Sequence, residues 1–196
     1  METENTSKNA IRIADMTANP APLGLLAFGM TTVLLNLHNA GYFAMGSVIF
    51  AMGIFFGGIA QIIAGCMEWK KNNTFGTTAF ISYGFFWISL VGLILMPVLG
   101  LSGPLAKEAL VSFLTIWGLF SLVMFIITFR LSKALQIVFG LLTLLFALLI
   151  AGNATGIGAI LQIAGIVGVI CGLSAMYTGL GQVMNEVYKE QVIRLG

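Results

Sequence analysis

Three hydrogen-bonding side chains, Asn36, His38 and Asn39, close an otherwise apolar stretch that reads "NPAPLGLLAFGMTTVLLNLHN" over residues 19–39. The stretch contains no Lys, Arg, Asp or Glu. Side-chain amides donate hydrogen bonds, and an imidazole also changes its charge near neutral pH. These groups could therefore collect a small anion at the end of a helix. The alternative is that they are ordinary interfacial residues facing water at a membrane surface.

The residues that lead up to this cluster share one face of the predicted helix. Phe28, Thr32, Leu35, Asn36 and Asn39 recur at offsets of three and four, which places them on one side of an α-helix. A ring, a hydroxyl and two amides thus form a stripe along the helix. We interpret this stripe as a candidate lining for a small solute.

The composition indicates what surrounds such a helix. Of 196 residues, 59% are hydrophobic and 8% are charged, and the mean hydropathy is +1.02. Soluble domains carry about 25% charged residues, so most of this surface need not face water. The chain is therefore predicted to be an all-α, polytopic membrane protein. Its net charge of +2 is too small to suggest a nucleic-acid partner.

Six segments have a length and hydrophobicity close to the roughly 20 apolar residues that a spanning helix needs. They cover residues 22–39, 42–67, 75–99, 109–129, 134–152 and 157–177. The connectors between them are short, so no separate soluble domain is expected. We predict a polar cytoplasmic N-terminal arm over residues 1–18, a six-helix transmembrane domain over 19–188 and a cytoplasmic tail over 189–196.

The positions of the basic residues predict the orientation. With six spans, every Lys and Arg except Lys107 falls on one side of the membrane. Basic residues accumulate on the cytoplasmic side, so both termini are predicted to lie in the cytoplasm and the protein in the plasma (inner) membrane. The first, third and fifth helices then run outward, which places Asn36, His38 and Asn39 at the external mouth.

Several classes of chemistry are excluded. The chain has one His and one Asp, so it cannot supply a His-rich metal centre or a pair of membrane aspartates. No charged residue occurs in the middle of a span, where a charge costs about 2.5–3.5 kcal/mol and usually marks an ion relay. We expect no enzyme activity, no metal and no cofactor. A solute would be handled by neutral polar groups and aromatic walls.

Glycine is abundant, with 24 of 196 residues, and several glycines have spacings that suit close helix contact. Gly53 and Gly57 fall in the second span, and Gly168 and Gly172 fall in the sixth. Lipid gives helices no hydrophobic reason to associate, so small residues stabilise packing by letting backbones approach. These pairs could pack within one subunit or between subunits.

The segments "NPAPLGL", "FGMTT" and "NLHNAGYF" resemble the acetate uptake transporter family, and within it the bacterial succinate–acetate permeases. The likeness continues through "AMGIFFGGIAQIIAGCMEWKKNNTFGTTAFISYG", "LMPVLGL" and "LFALLIAGN", and covers nearly all of residues 18–188. The "NPAPLGL" motif at the head of the first span is a highly specific signature. Only the polar arm lies outside this resemblance.

The resemblance implies a homohexamer of six-span protomers with one conduit in each protomer. It also implies uptake of acetate and similar small carboxylates, with succinate as a further candidate, together with a proton. A narrow apolar waist is implied midway along the conduit, at the positions of Phe28, Tyr83 and Leu142. Each of these residues lies about two helical turns from the cytoplasmic end of an outward-running helix, and hence at a similar depth.

A mechanism can be formulated from these expectations. The anion would be collected by the external cluster and would cross the waist as an acid or as an ion–proton pair. Tyr83, Thr32 and Thr143 would offer hydroxyl groups, while Phe28 and Leu142 limit size. The complete set of predicted lining residues is Phe28, Thr32, Asn36, His38, Asn39, Tyr83, Trp87, Leu142 and Thr143.

Two other functional classes remain open on the sequence. A passive channel for an anion or a small neutral solute would also suit short loops and a charge-free interior. A membrane scaffold without transport activity is supported only by the abundance of small residues. Accumulation of a solute above equilibrium would distinguish a symporter from a channel, and counterflow would distinguish either one from a scaffold.

Overall fold

The computed structural model describes residues 17–196, and all regular secondary structure in that range is helical. Six helices in this part of the chain are long and apolar enough to cross a membrane. They are α1 (Ala21–Asn39), α2 (Ser47–Lys70), α3 (Thr74–Val98), α4 (Lys107–Thr128), α5 (Lys133–Thr155) and α6 (Gly158–Tyr188). The predicted all-α architecture with six spanning helices is confirmed. The predicted arm, residues 1–18, lies outside the described residues except for its last two positions.

α2 begins later than predicted, at Ser47 rather than at residue 42. The chain leaves α1 through Gly41, whose φ of 91° lies in the left-handed region that favours glycine. His38 closes the turn, because its Nδ1 donates a hydrogen bond of 2.9 Å to the carbonyl oxygen of Phe43. Residues that hydrophobicity alone assigns to the second span therefore form a turn instead.

α6 extends beyond the predicted end at residue 177 and stops at Tyr188. Its last turns hold the C-terminal tail. Asn185 donates to the Ile193 carbonyl oxygen and accepts from the Ile193 amide, with both distances at 2.8 Å. The helix thus continues past its apolar span because its end packs against protein.

The middle of α2, Met52–Ala60, is a π-helix. A π-helix has a wider turn than an α-helix and occurs frequently at functional sites. The Met52 carbonyl oxygen accepts a hydrogen bond of 3.4 Å from Thr31 Oγ1 on α1. Gly57 allows this close approach, since a Cβ there would lie 2.8 Å from the Thr31 side chain. The segment ends immediately before Gln61.

Glycines bring α1 and α6 into direct contact. A Cβ at Gly172 would lie 2.6 Å from the carbonyl oxygen of Gly29, and a Cβ at Gly168 would lie 2.1 Å from the Asn36 side chain. Neither position has room for a larger residue. This predicted glycine pair therefore packs within the protomer. The other predicted pair, on α2, likewise packs against α1 and α3.

The helices close around a core in which α1, α3 and α5 face one another. α1 packs on α6 and α2, α3 packs on α2, and α5 packs on α4 and α6. Rings connect α3 to its other neighbours: the centroid of Phe86 lies 5.2 Å from that of Trp117 on α4 and 5.6 Å from that of Phe146 on α5. Edge-to-face contacts of this kind stabilise a core beyond simple burial.

One end of the bundle holds every described Lys and Arg except Lys107, and we call it the basic end. These residues are Lys70, Lys71, Arg130, Lys133, Lys189 and Arg194. The tail returns to this end, where the Leu195 carbonyl oxygen accepts a hydrogen bond of 2.9 Å from the Ala134 amide. This contact satisfies one of the free amides at the start of α5.

Gly172→Ala should destabilise the protein by about 1–3 kcal/mol, the usual cost of overpacking a tight contact. Gly92→Ala is the matched control, because the nearest atom to a Cβ at Gly92 is the Met96 Cε, 3.8 Å away. The melting temperature of the purified protein in detergent measures both effects. Equal melting temperatures for the two variants would contradict the proposed importance of the α1–α6 contact.

Candidate functional site

A small cavity lies where α1, α2, α3 and α5 meet. Its volume is about 20 Å³, roughly enough for one water-sized molecule. Its lining consists of Leu25, Phe28, Gln61, Ala79, Phe80, Tyr83, Val138, Phe139 and Leu142. The structure thus brings Phe28, Tyr83 and Leu142, which we call the waist residues, around one cavity.

The waist residues form closely packed walls. Their exposed fractions are 6% for Phe28, 3% for Tyr83 and 4% for Leu142. The ring centroids of Phe28 and Tyr83 lie 5.8 Å apart with an interplanar angle of 51°. Phe139 adds a ring whose centroid is 6.1 Å from that of Tyr83. Such walls limit the size of a solute and offer no countercharge, so they favour a neutral or proton-paired species.

The hydroxyl group of Tyr83 forms a hydrogen bond with a serine of α4. It lies 2.8 Å from Ser121 Oγ, and Ser121 in turn donates a hydrogen bond of 2.8 Å to the Trp117 carbonyl oxygen. Since the single Ser121 proton is directed to that carbonyl, Tyr83 is the donor in the first bond. The ring of Tyr83, rather than its hydroxyl, therefore forms the cavity wall.

Gln61 also lines this cavity. The residue is 1% exposed, and its buried Oε1 has no hydrogen-bond partner. A buried acceptor without a partner costs about 1–3 kcal/mol, so it calls for a water or a ligand. A primary amide can accept from an O–H group and donate to a C=O group at the same time. That pair of bonds matches a protonated carboxylic acid.

Two further cavities continue from the waist cavity toward the basic end. The first, the inner cavity, has a volume of about 60 Å³, and the second, the vestibule, about 500 Å³. Shared lining residues connect the three spaces: Leu25, Ala79, Phe80 and Phe139 between the waist and inner cavities, and Glu68 and Asn73 between the inner cavity and the vestibule. The volumes of these adjoining cavities increase from the waist to the basic end, and we call the series of three cavities the passage.

Glu68 is buried on this passage, with 2% of its surface exposed. Its Oε2 accepts a hydrogen bond of 2.7 Å from Asn73 Nδ2, whereas its buried Oε1 has no partner. Asn73 also caps α3, because its Oδ1 accepts from the Gly76 amide at 3.0 Å. The carboxyl group is thus fixed against the start of α3.

The predicted external cluster lies at the opposite end, away from the three cavities. Asn36 is 1% exposed, and both of its polar atoms are bonded: Nδ2 donates to the Thr32 carbonyl oxygen at 2.9 Å, and Oδ1 accepts from Asn39 Nδ2 at 3.1 Å. His38 is half-buried and bonds to the backbone of Phe43. The structure brings Asn36 and Asn39 together, and it places His38 in the turn after α1.

The remaining predicted lining residues are Thr32, Trp87 and Thr143. Thr32 and Trp87 are each 2% exposed, and each has a buried polar atom without a partner, Oγ1 and Nε1 respectively. Each follows a waist residue by four positions, about one turn toward the opposite end. Thr143 is half-buried and donates its hydroxyl to the Phe139 carbonyl oxygen at 2.8 Å. These three residues do not line the waist cavity.

Sequence reasoning missed Gln61 and Glu68 as residues of the passage. Gln61 could have been found as an isolated amide inside a strongly apolar span. Glu68 stands before "WKKNN" and resembles the start of a solvated loop, so only the structure reveals its burial. Among residues 17–196, no three His, Cys, Asp or Glu side chains come together to hold a metal ion.

Comparison with known proteins gives consistent relatives. The chain is 56% identical over 179 residues to the succinate-acetate/proton symporter SatP of Escherichia coli (strain K12), covering 91% of this chain and 95% of the relative. It is 33% identical over 187 residues to acetate permease A of Emericella nidulans, covering 86% of this chain and 62% of that protein. These relatives carry the names of transporters rather than of enzymes.

A solved structure described as "Structure of the bacterial acetate channel SatP" matches the fold with a TM-score of 0.90 and 56% identity. The match covers 92% of this chain and 99% of that chain. With its six apolar helices, the chain is therefore a multi-pass protein of the inner membrane. The model of the GPR1/FUN34/yaaH family matches residues 3–193. The resemblance first indicated by "NPAPLGL" is confirmed, and the chain belongs to the GPR1/FUN34/yaaH family.

Proposed function

We propose that this protein takes up acetate and similar small carboxylates together with a proton, through the waist of each protomer. The observation that carries the proposal is the cavity of about 20 Å³ enclosed by Phe28, Tyr83 and Leu142. A relative that covers most of the chain is named a succinate-acetate/proton symporter, which supports acetate, succinate and the proton as partners. The waist admits one small molecule at a time and selects it by size.

Energetics favour a proton as the second partner. A simple carboxylic acid has a pKa close to that of Glu, about 4.3, so nearly all of it is anionic at neutral pH. Moving an anion into a cell against a potential of about −100 mV costs about 2.3 kcal/mol per charge. A proton carried with the anion removes this cost. It also lets the solute cross the apolar walls without an unpaired charge.

The unpartnered polar atoms suggest how the acid is held during passage. Thr32 Oγ1 and Trp87 Nε1 lie on the far side of the waist, and Gln61 Oε1 lies at the waist itself. A carboxylic acid can donate one hydrogen bond and accept several, so it can satisfy such groups in turn. We still predict that Asn36, His38 and Asn39 collect the anion at the outer surface. Thr143 also remains a predicted lining residue.

The orientation and the assembly are also part of the proposal. Basic residues accumulate on the cytoplasmic side of membrane proteins, so we assign the basic end, with the vestibule, to the cytoplasm. The solute then passes from the narrow waist into progressively wider space. We further assign six protomers to the functional assembly, each with its own passage.

A passive channel is the second candidate, and it is favoured by the word "channel" in the description of the matching solved structure. The two mechanisms differ in whether the solute can be concentrated. In proteoliposomes, an inward proton gradient of one pH unit should drive acetate to about tenfold accumulation if each anion carries one proton, by the tenfold-per-unit rule. A final ratio of one, with the same result after collapse of the gradient, would identify a channel.

Leu142→Ala should widen the waist and admit longer acids such as lactate and succinate. We expect their uptake relative to acetate to rise about tenfold, the lower end of what one methylene group contributes in a fitted pocket. Leu145→Ala is the matched control, because both leucines are 4% exposed on α5 but only Leu142 lines the cavity. Uptake of a panel of labelled acids measures the change. An unchanged preference in the Leu142 variant would remove this residue from the waist.

A further inference from the structure

We propose that Glu68 is the residue that makes passage dependent on a proton: its carboxyl group admits a carboxylate to the vestibule only when the two groups share one proton. This inference rests on the proposed proton-coupled uptake and assigns the coupling to a particular side chain. Glu68 would act as a specificity residue that distinguishes the acid from its anion. The waist residues would discriminate by size and would disfavour an anion without excluding it.

The position of Glu68 supports this role. It lines both the inner cavity and the vestibule, so a solute moving between these spaces passes its carboxyl group. Only 2% of the residue is exposed, although it lies near the end of a spanning helix. The carboxyl group therefore meets the solute with little water between them to screen the interaction.

The hydrogen bonding of Glu68 leaves one oxygen available. Oε2 is held by Asn73 Nδ2 at 2.7 Å, and Oε1 is buried without a partner. Packing keeps the group in place, since a Cβ at Gly76 would lie 2.9 Å from the Glu68 Cδ. Gly76 belongs to the first turn of α3, and the start of a helix favours a nearby negative charge. Oε1 is thus a fixed, buried acceptor without a partner, on a residue that lines the passage.

Two carboxyl groups in contact cannot both remain ionised, because like charges at about 3 Å strongly repel each other. An incoming acid donates its O–H to Oε1 and passes. An incoming anion passes only if Glu68 carries the proton, which the pair then shares. In either case the solute leaves as the acid with one proton. When that proton came from Glu68, the carboxylate takes up another from the side of the waist before the next anion can pass, and only O–H bonds are made or broken. The anion alone is repelled.

The charged groups around Glu68 are few. Lys71 and Glu186 line the vestibule with it, and Glu186 is exposed at the end of α6. The other surfaces of the inner cavity, from α1, α3, α5 and α6, present neutral side chains. Lys71 donates a hydrogen bond to the Thr17 carbonyl oxygen, and its positive charge acts on Glu68, which is the buried carboxyl group of the inner cavity.

The test uses the purified full-length protein in proteoliposomes, with labelled acetate as the probe. Wild type, Glu68→Gln, Glu68→Asp and Glu186→Gln are compared under an imposed proton gradient and under a potassium gradient clamped with valinomycin. Glutamine preserves the size of the side chain and removes its charge. Glu186→Gln makes the same change at an exposed carboxylate of the vestibule.

In wild type, acetate accumulation should follow the proton gradient and should not respond to the potassium gradient. In Glu68→Gln the dependence should reverse: a tenfold potassium gradient should shift the distribution of acetate up to about tenfold, as expected for a univalent anion. Glu68→Asp and Glu186→Gln should behave like wild type. Size-exclusion profiles and melting temperatures establish that each variant is folded.

Each other outcome has a defined meaning. If wild type responds to voltage and not to the proton gradient, the proposed symport itself fails. If wild type is proton-driven and Glu68→Gln remains insensitive to voltage, the waist excludes the anion unaided and the assignment of Glu68 is overturned. A folded Glu68→Gln variant with no acetate flux also overturns it, because removal of a charge at constant size should leave the passage open.

Discussion

The molecule has to accommodate a solute that is usually anionic in an interior without a positive charge. Every described Lys and Arg lies at a helix end, in a connector or in the tail, and the centre of the bundle is walled by rings and aliphatic side chains. This constraint explains why the narrowest point is apolar and holds only about 20 Å³. Of the four buried side-chain atoms without partners in the described residues, three belong to the neutral side chains of Thr32, Gln61 and Trp87, at the waist or on its far side, and the fourth belongs to Glu68. At the waist, neutral hydrogen-bonding groups take the place of a positively charged side chain as partners for the solute.

Close packing of backbones makes this arrangement possible. Contact between Gly29 and Gly172 brings α1 against α6 without intervening side chains, and Asn36 fills the space beside Gly168. α1 is thereby fixed in depth, and with it Phe28, which must meet side chains from α3 and α5 at the same level. In a bilayer, where hydrophobicity does not drive helices together, dispersion contacts between small residues supply this alignment. This packing explains why the amide of Asn36 is buried, and both of its polar atoms are already hydrogen-bonded within the protein.

Much of the fold follows from hydrophobicity and from the distribution of charge. The six apolar segments were sufficient to predict the helices to within a few residues at most boundaries. The positions of Lys and Arg predicted which helix ends lie on the same side. The exceptions have local causes: a turn that His38 closes, and a helix end that Asn185 holds against the tail. Composition and spacing alone could not place Phe28, Tyr83 and Leu142 around one cavity; the family resemblance supplied that expectation. The burial of Glu68 was not predictable, because it depends on how α3 begins beside it.

The π-helical stretch of α2, Met52–Ala60, determines which way the later residues of that helix face. More residues fit in each turn there than in the flanking α-helix, so everything that follows along α2 is rotated relative to what precedes it. Deleting a single amino acid while the stretch relaxed to α-helical geometry would largely preserve the direction of Gln61 and Glu68, whereas the same relaxation at unchanged length would turn both residues around the helix axis. Both polar groups would then point toward neighbouring helices or lipid. The register of this one helix therefore sets whether the conduit has any hydrogen-bonding groups along that wall.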